Sequence, residues 1–237
     1  MKSCPTIWLY VLAMTMTMTL AFSSCDSKKE VFTSGNPSIV SGQPVPLEGS
    51  FDRINISGVD EVTIAHGDSS QVILSGDEDA ISRFSVSNKD NLLVVKKTTN
   101  ERLLRHQRVH VHVVLPVLHE MNMAGIGNVK LQDETKTDRL DVDINGCGSM
   151  QAKGIVCDRL KMSFAGVSKV DLDEVTAQDA SMSINGVGSV QARFTDTGVL
   201  NCSANGTGSV SLKGNVKSFS KKSAGVGQFD TKELVVE

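Results

Sequence analysis

A glycine recurs along the second half of the chain at Gly125, Gly146, Gly166, Gly186, Gly206 and Gly225, in steps of 21, 20, 20, 20 and 19 residues. Two positions later stands another small residue: Gly127, Gly148, Ser168, Gly188, Gly208 and Gly227. A period near twenty residues marks an architecture in which each repeat is one supersecondary unit that cannot stand alone. Small residues fixed in register mark corners, where the backbone needs positive φ or an approach that a Cβ would obstruct. Asn145, Asn185 and Asn205 precede three of these corners, as suits a residue that tolerates left-handed backbone.

The apolar residues keep the same register. Four positions before the first glycine stand Met121, Val142, Met162, Met182 and Cys202, and two before it Met123, Ile144, Phe164, Ile184 and Ala204. After each corner come Val129, Met150, Val170, Val190, Val210 and Phe229, then, two positions on, Leu131, Ala152, Leu172, Ala192, Leu212 and Thr231. Leu140, Leu160, Ala180, Leu200 and Phe219 repeat as well and supply a third apolar corner. Alternation turns the intervening polar residues outward, among them Asp141, Asp143, Lys161 and Ser181. Two four-residue strands make no core, but stacked units bury like side chains in columns while their strands pair in parallel at about 4.8 Å. The predicted fold is therefore all-β, a single-stranded parallel β-helix (β-solenoid) of right-handed coils over residues 121–237.

Residues 48–120 echo the repeat weakly. Ile56-Ser57-Gly58-Val59-Asp60-Glu61-Val62-Thr63-Ile64 looks like a corner, but the spacing to the next is irregular. This stretch is expected to form longer coils or hairpins that cap one end, since an open coil exposes unpaired strand edges. At the other end Lys221 takes the inward position held earlier by Val142 and Met182, so the regular core is expected to stop there.

Residues 1–24 have the layout of a secretory signal, with Lys2 followed by an apolar stretch from Ile7 to Phe22 and then small residues. Leu20-Ala21-Phe22-Ser23-Ser24-Cys25 resembles a bacterial lipobox, which makes Cys25 the predicted lipidation site. Residues 25–47, with Gly35, Pro37, Gly42, Pro44 and Pro46, read as a flexible tether between lipid and folded body. The expected location is the cell envelope, lipid-anchored at the outer membrane, with the membrane as partner through that anchor. Loss of the signal removes Trp8 and Tyr10, the one Trp and the one Tyr of the chain. The net charge of −3 gives no basic stripe for nucleic acid.

Cys147, Cys157 and Cys202 form no CxxC pair and are expected to be small buried residues. His110 and His112 share a strand face near His106, a spacing that could chelate zinc or copper. The plainer expectation is that they form the polar half of the Val109, Val111, Val113 alternation, and no metal is assigned. Calcium-binding β-rolls carry Asp in their turns, where this chain has Ser149, Ser189 and Ser209. Asp141 with Asp143, and Asp171 with Asp173, share outward faces as a glycosidase pair would. Neighbouring repeats do not keep carboxylates there. No Gly-x-Ser-x-Gly elbow, phosphate loop or HExxH helix occurs, so no catalytic residue and no cofactor is expected.

Phe51-Asp52-Arg53-Ile54-Asn55-Ile56-Ser57-Gly58, Val113-Val114-Leu115-Pro116 and the serial Asn-Gly-x-Gly-Ser-Val corners resemble the auto-transporter adhesin head GIN domain family. This is a domain of unknown function common in Bacteroidetes, and the resemblance covers roughly residues 48–235. It implies adhesion and supplies no catalytic motif. The leading expectation is a non-catalytic envelope module that binds a protein or glycan through a broad polar face. A structural or stress-sensing envelope component and a carbohydrate-active enzyme are the alternatives.

Overall fold

Runs of Val, Ile and Leu alternating with polar residues become strands, because alternation places one face on the core and the other in water. The computed structural model describes residues 42–98 and 108–237, all within one compact unit. In chain order the elements are β1 (Gln43–Pro44), β2 (Arg53–Ser57), β3 (Glu61–His66), β4 (Gln71–Gly76), α1 (Glu78–Ile81), β5 (Phe84–Lys89), β6 (Leu92–Lys97), β7 (Val109–Leu115) and β8 (Glu120–Val236). The fold is all-β apart from the single turn of α1, which Asp77 caps by accepting from the Ala80 amide at 3.1 Å. Its strands form one open, mixed sheet in the order β1-β4-β7-β3-β8-β2-β6-β5.

Stretched out, the 117 residues of β8 would span several hundred ångströms at about 3.3 Å per residue. Instead the strand returns on itself at each glycine corner. A Cβ added to Gly146 would overlap the carbonyl oxygen of Gly125, and one added to Gly166, Gly186 or Gly206 would meet the glycine one repeat earlier in the same way. Side chains one repeat apart touch as well: Ser149 donates to Asn128 at 2.7 Å, Asn205 to Asn185 at 3.1 Å, and Ser209 to Ser189 at 3.1 Å.

The first repeat stands on β2 and β3 in parallel. Ile54 lies opposite Met121, Ile56 opposite Met123, Val62 opposite Val129 and Ile64 opposite Leu131. The corner between these strands is Gly58, at φ 73°, whose amide donates to the Ala124 carbonyl at 3.2 Å. One level further, β2 pairs in parallel with β6 and β3 with β7. Beyond that the pairing turns antiparallel, β5 on β6 and β4 on β7, with β1 on β4 at an edge. Val45 and Leu47 lie partly buried against the core, so the last residues of the stretch predicted as a tether are docked on β4. The rest of that stretch falls outside the described residues.

The apolar columns read from the sequence line the interior: Met121, Val142, Met162, Met182 and Cys202 are all buried. A further inward row was not legible in the repeat, formed by Ile155 and Cys157, Val175 and Ala177, Phe194 and Thr197, and Val216. The Thr197 hydroxyl, fully buried, donates to the Val175 carbonyl at 3.1 Å, which satisfies the one polar group in that row. Toward the C-terminal end the column Met123, Ile144, Phe164 thins to half-buried Ile184 and Ala204. Lys221 is exposed there, its Nζ 4.0 Å from the centre of the Phe229 ring.

A candidate binding groove

Where β8 runs from Lys130 to Gln132, Gln151 to Lys153 and Asp171 to Asp173, the middle residue points inward and the flanking two point out. Leu131, Ala152 and Leu172 are buried, 1%, 3% and 2% exposed, so the backbone there is a closed floor. Above it the outward side chains Lys130, Gln132, Gln151, Lys153, Asp171 and Asp173 line a solvent-open groove. Thr63 lies in register with Lys130, which continues the first outward column into β3.

Some polar ladders of β8 are internally satisfied. Gln178 donates to Asp158 at 3.1 Å and Lys213 pairs with Glu233 at 3.1 Å, each across one repeat. Arg139 pairs with Asp141, and Asn145 donates to Asp143. These contacts occupy the first of the two carboxylate pairs noted in the sequence. The groove differs. Among the described residues, Lys130, Gln151, Lys153, Asp171 and Asp173 make no ion pair and no side-chain hydrogen bond.

The histidines do not converge. His110 Nδ1 lies 2.8 Å from Glu61 Oε2, while His112 is 9% exposed with its Nδ1 buried and unpartnered. Burial pushes the His112 imidazole below its ordinary range, and the nearby Asp133 carboxylate opposes that shift. His106 lies outside the described residues, as does Cys25. No cluster of His, Cys, Asp or Glu able to hold a metal ion occurs among the described residues. One constellation was missed in the sequence because its members are far apart: His119 bridges Asp52 Oδ2 at 3.1 Å through Nδ1 and Asp138 Oδ1 at 3.0 Å through Nε2. It ties the cap to the first repeat.

The corner residues fall into two kinds. Gly125, Gly146, Gly166, Gly186, Gly206, Gly208 and Gly225 adopt positive φ. Gly127, Gly148, Gly188 and Gly227 do not, and crowding alone sets them: a Cβ on Gly148 would run into the Gly127 carbonyl. The residue between the two glycines points away from the core. Ile126 is 74% exposed, Val167 and Val187 are each 53% exposed, and Cys147 is exposed. Cys147 therefore departs from the expected burial, since the corner turns its side chain outward. Cys157 and Cys202 are buried, and desolvation pushes both thiols up to about 11. No helix of the described residues is long and apolar enough to cross a membrane.

Solved structures similar to the chain include a putative adhesin of Bacteroides fragilis. It aligns with a TM-score of 0.62 at 17% identity, covering 82% of this chain and 96% of the other. A putative adhesin of Parabacteroides merdae aligns with a TM-score of 0.57 at 14% identity, covering 82% and 95%. At such identities the likeness is one of fold. No curated protein matches the chain. The family model described as "Putative auto-transporter adhesin, head GIN domain" matches residues 50–213 and again 169–237, which together take in the cap, the groove and every repeat. The chain belongs to that family.

Proposed function

We propose that the protein is a non-catalytic surface-binding module of the cell envelope, built as a single-stranded parallel β-helix and presenting its outward faces to a ligand. The observation that carries this reading is the solvent-open groove over a closed floor, in which Lys130, Gln151, Lys153, Asp171 and Asp173 make no ion pair and no side-chain hydrogen bond among the described residues. Groups left without partners in a concavity are available to a ligand, whereas paired ones must first be separated. The repeat-to-repeat glycine contacts and the parallel seating of the first repeat on β2 and β3 support the β-helix. The family description and the adhesins similar in fold support surface binding.

In this reading residues 1–24 are removed on export, Cys25 carries the lipid, residues 25–47 lead to the folded body, 48–120 cap it, and 121–237 form the repeat. The anchor places the module at the outer membrane. Protease shaving of intact cells tests this: digestion of the chain is expected, and full protection overturns the surface reading. Metabolic lipid labelling should be lost in Cys25→Ala, and labelling that persists refutes the anchor.

A further inference from the structure

We propose that the crest of the glycine corners, formed by Ile126, Cys147, Val167 and Val187, is the interface through which two copies of this chain pair, with their Cys147 thiols brought within bonding distance. The proposal goes beyond the surface-binding reading and takes from it only that the chain is exported.

The first argument is one of surface chemistry. In four successive repeats the residue between the paired small residues of the corner stands in solvent, and it is Ile126, Cys147, Val167 and Val187. The other exposed large apolar residues among those described, Val117, Val199, Val235 and Val236, form no such row. Charge is nearly absent beside the crest. Residues 124–128, 145–149, 165–169, 185–189 and 205–209 carry one charged side chain, Lys169, although 22% of the whole chain is charged.

The second argument selects the occupant. The crest side chains recur at the strand spacing of about 4.8 Å, and the same crest on a second copy has that pitch. About a two-fold axis through Cys147, Ile126 falls beside the partner's Val167 and Val167 beside the partner's Ile126, so apolar tips meet apolar tips. Two copies of a chain with net charge −3 also approach with least repulsion along a strip that carries almost no charge.

The third argument is one of reach. A disulfide needs its two Cα atoms roughly 4.4 to 6.8 Å apart. Cys147 lies between Gly146 and Gly148, neither of which has a Cβ to hold a second backbone away. Cys157 and Cys202 are buried, so Cys147 is the exposed thiol among the described residues, free to pair between molecules. A contact of four side chains falls well short of the roughly 800 Å² per partner of a stable interface, so the crest orients the copies and the covalent bond holds them. A disulfide oxidant outside the cytoplasm supplies the chemistry. The two Cys147 thiols give up two protons and two electrons to form one S–S bond, and the oxidant's own disulfide is reduced to two thiols.

The test uses the mature chain carrying Cys25→Ser, which removes the anchor and its thiol, with oxidised glutathione as the oxidant. Non-reducing gels and peptide mass spectrometry are the readout. A dimer joined from Cys147 to Cys147 is expected to predominate over the glutathione adduct, and Cys147→Ser to abolish it. Val167→Asp sets an unpaired charge against the partner's Ile126 and should lower the dimer yield about tenfold or more, while Cys147 still takes up glutathione. Ile126→Asp should do the same. Ser181→Asp adds an equal charge at an exposed position off the crest and should leave the yield unchanged. All variants should melt as the parent does. The proposal is overturned if only the glutathione adduct forms, if the dimer is joined through another cysteine, or if both crest variants dimerise as the parent does. It is also overturned if the parent floats with phosphatidylcholine vesicles and Val167→Asp does not, which makes the crest a membrane contact. Dimerisation of the purified chain and shaving of intact cells fail separately: a digested chain that stays monomeric sinks the crest alone, and a protected chain sinks the surface reading with the dimer intact.

Discussion

Cys157 and Cys202 lie inside the fold while Cys147 stands at a corner, and that difference sets their chemistry. The thiolate is the reactive form, and desolvation holds the two inner thiols near 11, so neither reacts at neutral pH without unfolding. A thiol reagent on the folded chain should label Cys147 and reach the other two only in denaturant. Early labelling of Cys202 would contradict its inward placement. The same shift has a pH consequence. A thiol whose folded pKa is raised above its unfolded value adds stability below the unfolded pKa, and that contribution disappears as pH rises from about 9 through about 11. Cys202→Val, which matches Val142 in the same column, should therefore flatten the fall in melting temperature across that window. Gly146 is the backbone counterpart: its φ of 146° and the overlap an added Cβ would make with Gly125 lead us to expect Gly146→Ala to cost about 2 kcal/mol or more in denaturant melts.

At the scale of elements, β7 carries a polar residue into a dry place. His112 lies opposite Thr63 on one side and Ile73 on the other, with its Nδ1 unpartnered. A histidine whose folded pKa is lowered contributes stability above its unfolded value of 6.5, and that contribution is lost as pH falls, because the unfolded chain takes the proton first. His112→Val should reduce the loss of stability below about pH 6.5; an unchanged acid limb in pH-dependent melts would count against the burial. The strand alternation around His112 was readable from Val109, Val111 and Val113, but its burial was not, because that depends on β4 folding back antiparallel. The repeat shows the same division. Columns such as Met121 to Cys202 were legible because like residues recur at one spacing. The row of Ile155, Val175, Phe194 and Thr197 was not, since Asp196 inserts a left-handed residue at φ 48° that Asn215 hydrogen-bonds from the next repeat, shifting the register. The groove was hidden for a related reason: the outward residues could be listed from sequence, but which are paired depends on side-chain geometry.

For the molecule as a whole, stacking raises the question of how the stack ends. At the cap, parallel pairing gives way to antiparallel strands, and the edge strand β1 is two residues long and contains Pro44, which offers no amide to a further strand. At the other end Lys221 sits in the column of Val142, Met162, Met182 and Cys202. Its ammonium over the Phe229 ring contributes about 1 kcal/mol at an exposed site. A second copy stacked on this end would have to bury that charge without a partner, at a cost that outweighs the strand pairing gained. Lys221→Leu continues the apolar column to the open edge and removes the obstacle. Sedimentation velocity should then detect end-to-end association in the variant at concentrations where the parent sediments as a single smaller species. Lys221→Arg, which keeps the charge, should behave as the parent does. If the leucine variant remains indistinguishable from the parent, the end is protected by something other than Lys221, and the partly buried Phe219 and Leu234 beside it become the residues to vary.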